Sequence, residues 1–217
     1  MPVVVLLGAP GAGKGTQAPI LAKRLGIPVL ASGDLLRAEV SAGSALGREV
    51  DGIMRSGELV PDATMARLFL GRLGRDDAAR GAILDGYPRT RAQAVALDEA
   101  LAASGRGVDR ALLIEVPVEE LVGRFADRLI CKAAGHVYNE RSKPPLVPGV
   151  CDVDGSELVH RADDAEETVR ARMLQQLGPL NDVAEHYRGL GVLAPVDGTR
   201  PIDEVAAALF AATGATA

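Results

Sequence analysis

Short apolar runs alternate along the chain with longer stretches of helical periodicity. Continuous runs rich in branched residues are typical of strands that are buried on both faces. Four such runs occur, at residues 3–7, 83–84, 111–116 and 191–196. Helical patterns lie between or after them, at residues 14–25, 90–103, 118–128, 163–187 and 201–213. The alternation predicts an α/β fold of three layers, in which helices cover both faces of a central parallel sheet.

Two segments interrupt this alternation. Residues 31–60 carry two helical patterns without an obvious strand. Residues 129–162 hold several prolines and few long apolar runs, and such a stretch inside a compact domain is typical of a lid or an inserted subdomain. We therefore predict one core domain with two inserts. The core comprises residues 1–30, 61–127 and 164–217, and the inserts comprise residues 31–60 and 128–163.

Composition and charge narrow the class of protein. The chain of 217 residues is 47% hydrophobic and 24% charged, with a net charge of −5. An acidic chain without Trp is poorly suited to bind nucleic acid or an anionic membrane. No run approaches the roughly 20 apolar residues of a membrane span, and the first apolar run is short for a signal peptide. We expect a cytoplasmic protein that binds neither nucleic acid nor membrane.

A glycine-rich segment follows the first apolar run and precedes a predicted helix. It reads Gly8-Ala9-Pro10-Gly11-Ala12-Gly13-Lys14-Gly15-Thr16. This is the pattern of a phosphate-binding loop, with the hydroxyl residue moved one place to Thr16. Glycines let successive backbone N–H groups face an anion, and the helix N-terminus adds the positive end of its dipole. The segment predicts a nucleotide site in which Lys14 reaches the β- and γ-phosphates and Thr16 lies near Mg²⁺ or a phosphate. The alternative, a simple tight turn, does not account for the lysine.

A second motif and a set of arginines indicate further anion binding. Asp85-Gly86-Tyr87-Pro88-Arg89-Thr90 follows the strand predicted at 83–84. An Asp at the carboxyl end of a central strand is suited to organise Mg²⁺ and its waters, although an Asp-Gly pair alone is often only a turn. The guanidinium fork of arginine suits phosphate, although a single arginine is more often a solvated surface residue. The other candidates are Arg37, Arg124, Arg128, Arg161 and Arg172, of which Arg124 and Arg128 are predicted to share one helix face.

The chain resembles the adenylate kinases of the long-lid type. The matching segments, in family order and spacing, are residues 8–16, 32–34, 36–37, 84–90, 93, 161–164 and 167–170. Their combination is more specific than any single motif. The resemblance implies a P-loop NTPase-type fold with a helical NMP-binding insert at 31–60 and a lid at 128–163. It also implies a monomer that catalyses ATP + AMP = 2 ADP, a phosphoryl transfer to a phosphate group that maintains the adenine nucleotide balance.

The resemblance further implies the roles of individual residues. The ATP-binding set would comprise Gly11, Ala12, Gly13, Lys14, Gly15, Thr16, Arg124, Arg128, Val137, Tyr138 and Arg200. The AMP-binding set would comprise Ser32, Arg37, Glu58, Leu59, Val60, Gly86, Tyr87, Pro88, Arg89, Gln93, Arg161 and Arg172. Arg124 would lie flat against the adenine of ATP. The amide of Gln93 would both donate to and accept from the adenine of AMP.

Catalysis of this reaction would depend on how the two nucleotides are positioned and on how the charge of the moving phosphoryl group is neutralised. The acceptor is a phosphate oxygen of AMP that is already ionised, so no general base is needed. What is needed is an in-line arrangement and neutralisation of charge on the moving phosphoryl group. With Mg²⁺ bound to ATP, the catalytic set would comprise Lys14, Arg89, Arg128, Arg161 and Arg172. Closure of both inserts would exclude water, the competing acceptor.

The predicted lid carries the two cysteines of the chain, Cys131 and Cys151. Some members of the family brace the lid with zinc in a C-x₂-C…C-x₂-[CD] arrangement. Cys131, Cys151 and Asp154 match this arrangement, but Ala134 occupies the second position, and structural zinc normally has four protein ligands. His136 could in principle substitute. We expect a lid without metal, and a reducing cytosol disfavours a disulfide between the cysteines.

Two alternatives from the sequence remain. The first is another nucleoside monophosphate kinase. The long lid argues against the UMP/CMP type, and Gln93 and Ser32 favour AMP as acceptor, but GTP as donor is left open. The second is a nucleotide-gated regulatory module on a P-loop fold, which would bind ATP without forming ADP. A sensor of that kind does not require cations for two nucleotides, so the arginine set argues against it.

Overall fold

The computed structural model describes residues 2–56, 60–160 and 166–215, with the side chains of residues 55, 56, 166 and 172 excepted. The central sheet contains β1 (Val3–Gly8), β2 (Val29–Ala31), β3 (Ala82–Asp85), β4 (Arg110–Glu115) and β8 (Leu193–Asp197). A smaller sheet contains β5 (Arg128–Cys131), β6 (Val137–Asn139) and β7 (Leu158–Val159). The helices are α1 (Lys14–Leu25), α2 (Ser32–Ser41), α3 (Ala45–Ser56), α4 (Asp62–Leu73), α5 (Arg91–Ala102), α6 (Val118–Ala126), α7 (Glu166–Gly189) and α8 (Ile202–Ala212).

The central sheet is parallel throughout, with the strand order β2-β3-β1-β4-β8. Along β1 the side chains alternate between two apolar clusters. Val3, Val5 and Leu7 pack into a cluster with α4, α5 and α7, whereas Val4 and Leu6 pack into a second cluster with α1, α6 and α8. Because β1 is buried on both faces, its sequence is a continuous apolar run rather than an alternating one. The predicted three-layer α/β fold is confirmed.

Two elements of the core were not predicted from the sequence. β2 is three residues long and pairs only with β3 among the described strands, so it gives no periodic signal. α4 follows Pro61, and its buried residues recur at helical spacing from Met65 through Leu68 and Phe69 to Leu73. That spacing is visible in the sequence and could have predicted the helix.

The predicted helix at 118–128 ends earlier than expected. α6 stops at Ala126, and Arg128 begins β5, where it pairs with Asn139 of β6. The backbone N–H of Glu140 donates to the carbonyl of Asp127 at 2.9 Å, so the chain enters the antiparallel sheet instead of continuing the helix. The prediction that Arg124 and Arg128 share one helix face is therefore wrong.

The two segments that interrupt the alternation have different structures. Residues 32–56 form the helices α2 and α3. These helices approach closely because Gly47 has no Cβ, which would lie 2.0 Å from the carbonyl oxygen of Glu39. Residues 128–160 form the small antiparallel sheet, which has an apolar cluster of its own. That cluster comprises Leu129, Cys131, Tyr138, Cys151 and Leu158.

α7 is the longest helix, with 24 residues, and it joins the lid segment to the last strand of the core. The helix is largely polar. It contacts the apolar cluster on one face of the sheet through Val183, and the cluster on the other face through Val169 and Met173. Across the described ranges, no helix combines the length and the apolar character that crossing a bilayer requires.

Candidate active site

The loop between β1 and α1 lies at the carboxyl edge of the central sheet. Gly11 and Gly13 have φ angles of 81° and 101°, which side chains with a Cβ rarely adopt. A Cβ on Gly11 would also come within 2.8 Å of the Phe125 ring, whereas a Cβ on Gly13 would meet nothing within 4 Å in the described chain. The loop is therefore packed against α6 on one side and open on the other, where the amino terminus of α1 points. That open side is suited to an anion.

Lys14 lies across this loop. Its Nζ donates to the carbonyl oxygen of Gly8 at 2.6 Å and to that of Ala9 at 3.2 Å. Burial lowers the pKa of Lys14, Asp85 raises it, and Arg89 lowers it further. The ammonium group is thus partly desolvated next to a second cation, and a bound phosphate would stabilise both charges.

Asp85 and Arg89 complete a charged group at the same edge. Asp85 ends β3 and pairs in register with Leu6 of β1. Burial raises the pKa of the Asp85 carboxyl, while Lys14 and Arg89 lower it. Arg89 Nε donates to the carbonyl of Gly86 at 2.8 Å, and Arg89 Nη2 donates to Ser32 Oγ at 3.1 Å. The structure therefore brings together the phosphate loop, the Asp85 motif and Ser32, as the ends of parallel strands predict.

Gln93 lies buried in the first turn of α5, which Thr90 caps by accepting from the Gln93 N–H at 3.1 Å. The Oε1 atom of Gln93 accepts from the backbone N–H of Arg89 at 2.7 Å. Its Nε2 atom donates to Asp62 Oδ1 at 2.6 Å. These contacts fix which end of the amide is donor and which is acceptor, and each end keeps capacity for one further hydrogen bond.

Asp62, which the sequence did not indicate, contacts the candidate site residue Gln93. It begins α4, and its second carboxylate oxygen, Oδ2, accepts from Thr90 Oγ1 at 3.2 Å. The sequence signal was weak, because an Asp in the first turn of a helix is common for dipole reasons alone. Its role as the partner of Gln93 depends on the approach of α4 to α5 in the fold.

The ring of Tyr87 is buried in the core. Its ring is 1% exposed and stacks on Phe69 with centroids 4.4 Å apart. Burial and the nearby Asp62 raise the pKa of Tyr87 to about 12. The neighbouring Gly86 has a φ of 75°, and a Cβ there would lie 2.6 Å from Ser32 Oγ. A ligand at this loop would therefore meet the backbone of Gly86 rather than the Tyr87 ring.

The insert formed by α2 and α3 presents Arg37 to solvent. Arg37 Nη2 pairs with Asp34 Oδ1 at 2.6 Å, and both side chains are well exposed. Glu49 of α3 accepts from Thr64 and Arg67 of α4, at 2.8 and 2.7 Å, which ties the insert to the core. Val60 packs against the first apolar cluster.

Arg124 joins α6 to the loop after β8. Its Nη2 atom donates to Glu120 Oε1 and to the carbonyl oxygen of Gly198, both at 2.6 Å. Gly198 can occupy this place because it has no Cβ, which would lie 2.4 Å from Ile114. A surface depression lies beside this contact, at the ends of β4 and β8, and is lined by Glu115, Val116, Pro117, Asp197 and Thr199. Arg200, in the same loop, donates through Nε to Asp197 Oδ2 at 3.3 Å.

The lid segment presents its predicted ATP contacts unequally. Val137 is 49% exposed, whereas Tyr138 is 3% exposed and packs inside the lid cluster. The Tyr138 hydroxyl accepts a hydrogen bond from the backbone N–H of Asp152 at 2.8 Å, which holds the side chain inside the lid segment. The guanidinium of Arg128 lies 4.4 Å from the centre of the Phe125 ring, next to the phosphate loop.

Four predicted site residues lie wholly or partly outside the described structure. Glu58, Leu59 and Arg161 are outside the described residues, and of Arg172 only the backbone, within α7, is described. Their predicted roles stay predictions. A neighbouring arginine of α7 is described: Arg170 donates to both carboxylate oxygens of Glu119 in α6, at 2.9 and 2.7 Å.

Fold and site together are those of an α/β protein with a phosphate-binding loop, the class that binds nucleotides. The family model for adenylate kinase matches residues 6–192. The adenylate kinase of Lachnospira eligens is 43% identical over 97% of this chain and 99% of its own length. Those of Thermosipho melanesiensis and Streptomyces avermitilis are 47% and 44% identical, over 93% of this chain and 94% and 92% of their own lengths.

The chain belongs to the adenylate kinase family. It is a phosphotransferase with a phosphate group as acceptor, EC 2.7.4.3, and its reaction is ATP + AMP = 2 ADP. The resemblance that the sequence motifs indicated is thus confirmed.

Proposed function

We propose that the reaction takes place at the carboxyl edge of the central sheet, between the insert at 31–60 and the lid at 128–163. The observation that supports this most directly is the charged group formed by Lys14, Asp85 and Arg89. Asp85 raises and Arg89 lowers the pKa of Lys14, and Lys14 and Arg89 both lower the pKa of Asp85. Two anionic nucleotides can share such a group only if its cations lie between them. The core would then comprise residues 1–30, 61–127 and 164–217.

ATP occupies the side of the phosphate loop. The backbone N–H groups of residues 11–16 surround its phosphates, and Lys14 exchanges its two loop carbonyls for phosphate oxygens. The adenine lies against Arg124, whose guanidinium is already held by Glu120 and Gly198, and beside Arg200. Val137 and the backbone of Tyr138 approach from the lid, because the Tyr138 ring is buried.

AMP occupies the side of α2 and α5. Arg37 is exposed, and its ion pair with Asp34 of the same helix lies at the surface, where such pairs contribute little free energy. Its side chain can therefore turn toward a phosphate. Ser32 and the backbone of Gly86 to Pro88 line the ribose and phosphate, and the backbone of residues 58–60 is predicted to contact AMP as well. Gln93 reads the adenine, and its fixed amide orientation is the basis of the preference for AMP.

The chemistry needs no general base, because the attacking AMP oxygen is ionised. Lys14, Arg89 and Arg128 stabilise the charge that spreads over the moving phosphoryl group, and Arg161 and Arg172 are predicted to join them on closure. Removal of one such donor corresponds to about 3–4 kcal/mol in the transition state. Mg²⁺ bound to ATP would supply further neutralisation, and the Asp85 carboxylate and Thr16 hydroxyl fit it, since both are oxygen ligands next to the phosphate loop.

We also propose a monomer in the cytoplasm that binds no nucleic acid. Two cysteines that remain free thiols suit a reducing compartment. The net charge of −5 disfavours a polyanionic partner. Size-exclusion chromatography with light scattering would give the mass of one chain; a dimer mass would contradict the proposal.

The test of the proposed site is a coupled assay of ADP formation with ATP, Mg²⁺ and AMP. AMP is then replaced in turn by UMP, CMP, GMP and water, and ATP by GTP. We expect rapid ADP formation with AMP and far slower reaction with the other acceptors. ADP formation at a similar rate without AMP would mean ATP hydrolysis and would contradict the two-nucleotide site.

A further inference from the structure

Two helices that begin at the carboxyl edge of the central sheet lie side by side. α1 follows the phosphate loop, and α8 follows the β8–α8 loop (residues 198–201). Ala18 and Leu21 of α1 are buried in the second apolar cluster together with Val205 and Leu209 of α8. Because each helix continues directly from its loop, the placement of the two helices decides the distance between the two loops.

The sheet sets a first limit on that distance. Gly8 of β1 pairs with Ile114 of β4, and Ile114 pairs with Val196 of β8. Neighbouring strands lie about 4.8 Å apart, so the ends of β1 and β8 are separated by about 10 Å. Both loops extend beyond these strand ends, where the hydrogen bonds of the sheet no longer constrain them. Their relative position must therefore be fixed by other contacts.

Several hydrogen bonds fix the shape of the β8–α8 loop. Asp197 Oδ1 accepts from the N–H of Thr199 at 2.9 Å and from its hydroxyl at 2.6 Å. The N–H of Gly198 donates to the carbonyl of Glu115 at 2.8 Å, and the Gly198 carbonyl accepts from Arg124 at 2.6 Å. The loop is thereby attached to β4 and α6. These bonds hold it in shape but do not reach the phosphate loop.

Gln17 connects the two loops. It lies in the first turn of α1, directly after Thr16, and its N–H donates to the carbonyl of Gly13 at 3.0 Å. Its side-chain Nε2 donates to the carbonyl of Ile202, in the first turn of α8, at 3.0 Å. The side chain is 3% exposed, so water does not compete for this bond. One side chain thus joins the end of the phosphate loop to the helix that follows the other loop.

Stability alone does not explain a glutamine at this place. Its Oε1 atom is buried and has no hydrogen-bond partner among the described residues. A buried polar atom without a partner costs free energy, and an apolar side chain of the same length would avoid that cost. The neighbouring Ala18 and Leu21 belong to an apolar cluster, which suits such a side chain. The feature that distinguishes glutamine from methionine here is the bond to Ile202.

We propose that Gln17 is a positioning residue for the donor nucleotide. Its bond to the Ile202 carbonyl sets the distance between the phosphate loop and the β8–α8 loop, so that the phosphates and the base of ATP are bound together. The inference rests on the proposed placement of ATP at these two loops. A connection that exists before binding removes the cost of ordering the loops when a ligand bridges them. A ligand that contacts only the phosphate loop gains nothing from the connection.

The test compares ATP with inorganic tripolyphosphate, which offers phosphates but no base. Calorimetry on the full chain gives the dissociation constant of each. Gln17→Met removes the donor at nearly constant length and should weaken ATP binding about fivefold, as expected for one hydrogen bond, while tripolyphosphate binding stays unchanged. The KM for ATP should rise in the same proportion, and the KM for AMP should stay constant. Equal weakening of both ligands, or an unchanged affinity for ATP, would overturn the proposal.

Two further variants serve as controls. Gln176→Met, at an exposed position of α7, should leave both dissociation constants unchanged. Lys14→Met removes the cation of the phosphate loop and should weaken both ligands. If Lys14→Met weakens neither ligand, the placement of ATP is wrong and the role of Gln17 falls with it. If Lys14→Met weakens both ligands while Gln17→Met acts equally on both or on neither, only the role of Gln17 is wrong.

Thermal unfolding shows whether Gln17→Met is folded. Its melting temperature should not fall, because the variant removes the unpartnered Oε1 atom. A measurement on the unmodified chain keeps the test independent of that variant. In nuclear magnetic resonance spectra, the side-chain amide protons of Gln17 should exchange slowly with solvent, both with and without ATP. Exchange at the rate of an exposed glutamine would show that the bond to Ile202 does not form and would overturn the proposal.

Discussion

The core and the lid of this molecule are stabilised in different ways. The core buries two large apolar clusters, one on each face of a five-stranded parallel sheet. The described lid cluster has five members, and three of these are Cys131, Cys151 and Tyr138, whose polar atoms take part in hydrogen bonds. Leu146 and Val153, in the same segment, are 88% and 70% exposed.

The difference shows what each region can do. A small sheet of short strands buries too little apolar area to be stable by that means alone. It depends on its parent domain and on specific polar contacts, which the lid concentrates around Cys131 and Cys151. The core is held by non-directional burial on both faces of the sheet, which fixes the position of the charged group at its edge.

The largest effect is expected at Lys14, the cation that lies across the phosphate loop of the core. Lys14→Met should lower the rate of ADP formation about 10³-fold, because the phosphate loop loses the cation that lies across it. The lysine is otherwise bonded only to loop carbonyls in the contacts described, so the fold should persist. Steady-state kinetics and circular dichroism check both points.

A matched control is Lys132→Met, which removes an exposed lid lysine that pairs with Glu157. It should retain nearly full activity. A Lys14 variant that keeps more than a tenth of the activity would show that the charge at the loop is dispensable.

The next effect separates the stability of the core from that of the lid. Leu112→Ala, at a fully buried position of β4, should lower the free energy of unfolding by about 3 kcal/mol. Leu158→Ala, in the lid cluster, should change the global value little but speed proteolysis of the lid. Urea denaturation and limited proteolysis measure the two quantities. Equal losses of global stability would mean that lid and core unfold as one unit.

A smaller effect is expected at Asp62, on the side of the core where AMP is proposed to bind. Asp62→Ala removes the acceptor of Gln93 Nε2, so the amide loses its fixed orientation. The KM for AMP should rise about tenfold, which corresponds to the loss of one hydrogen bond to a charged group. The KM for ATP should stay constant. Asp76→Ala, in the turn after α4, serves as control; a similar rise in both KM values would point to a general structural fault.

The smallest effect concerns pH. The pKa of Asp85 is raised in the folded state, chiefly by burial, so the folded state binds this proton more tightly than the unfolded state does. Its contribution to stability is therefore present below the ordinary pKa and is lost as the pH rises through the folded value. The stability of the unmodified chain relative to Asp85→Asn should thus decrease from about pH 4 upward. A relative stability that increases over this range would contradict the raised pKa.

Some of these features could be predicted from the sequence and some could not. The bounds of α1, Lys14 to Leu25, follow from the glycine-rich loop before it and Gly26 after it, and they are confirmed. β2 was missed because three residues carry no period. The end of α6 was misplaced because strand pairing in the lid overrides helix propensity at Arg128.

The candidate site likewise has features that the sequence predicts and features that it does not. The phosphate loop and Asp85 both follow strands of a parallel sheet, which the pattern predicts, so both are expected at the carboxyl edge of that sheet. The partnership of Asp62 and Gln93 does not, because it depends on how two helices approach each other. Nor does the burial of Tyr138, whose ring packs among the lid residues instead of facing a nucleotide. Motifs indicate the chemistry, but tertiary packing decides which atoms are exposed.

Lys14 also bears on which anions the phosphate loop can hold. Its Nζ donates to the carbonyl oxygens of Gly8 and Ala9, and a phosphate that takes over the ammonium group leaves both oxygens without this donor. An anion therefore competes with the backbone of the loop itself, so a ligand with one weak contact gains little there, whereas a polyphosphate with several contacts gains much. The loop in this way discriminates by the number of contacts that a ligand offers.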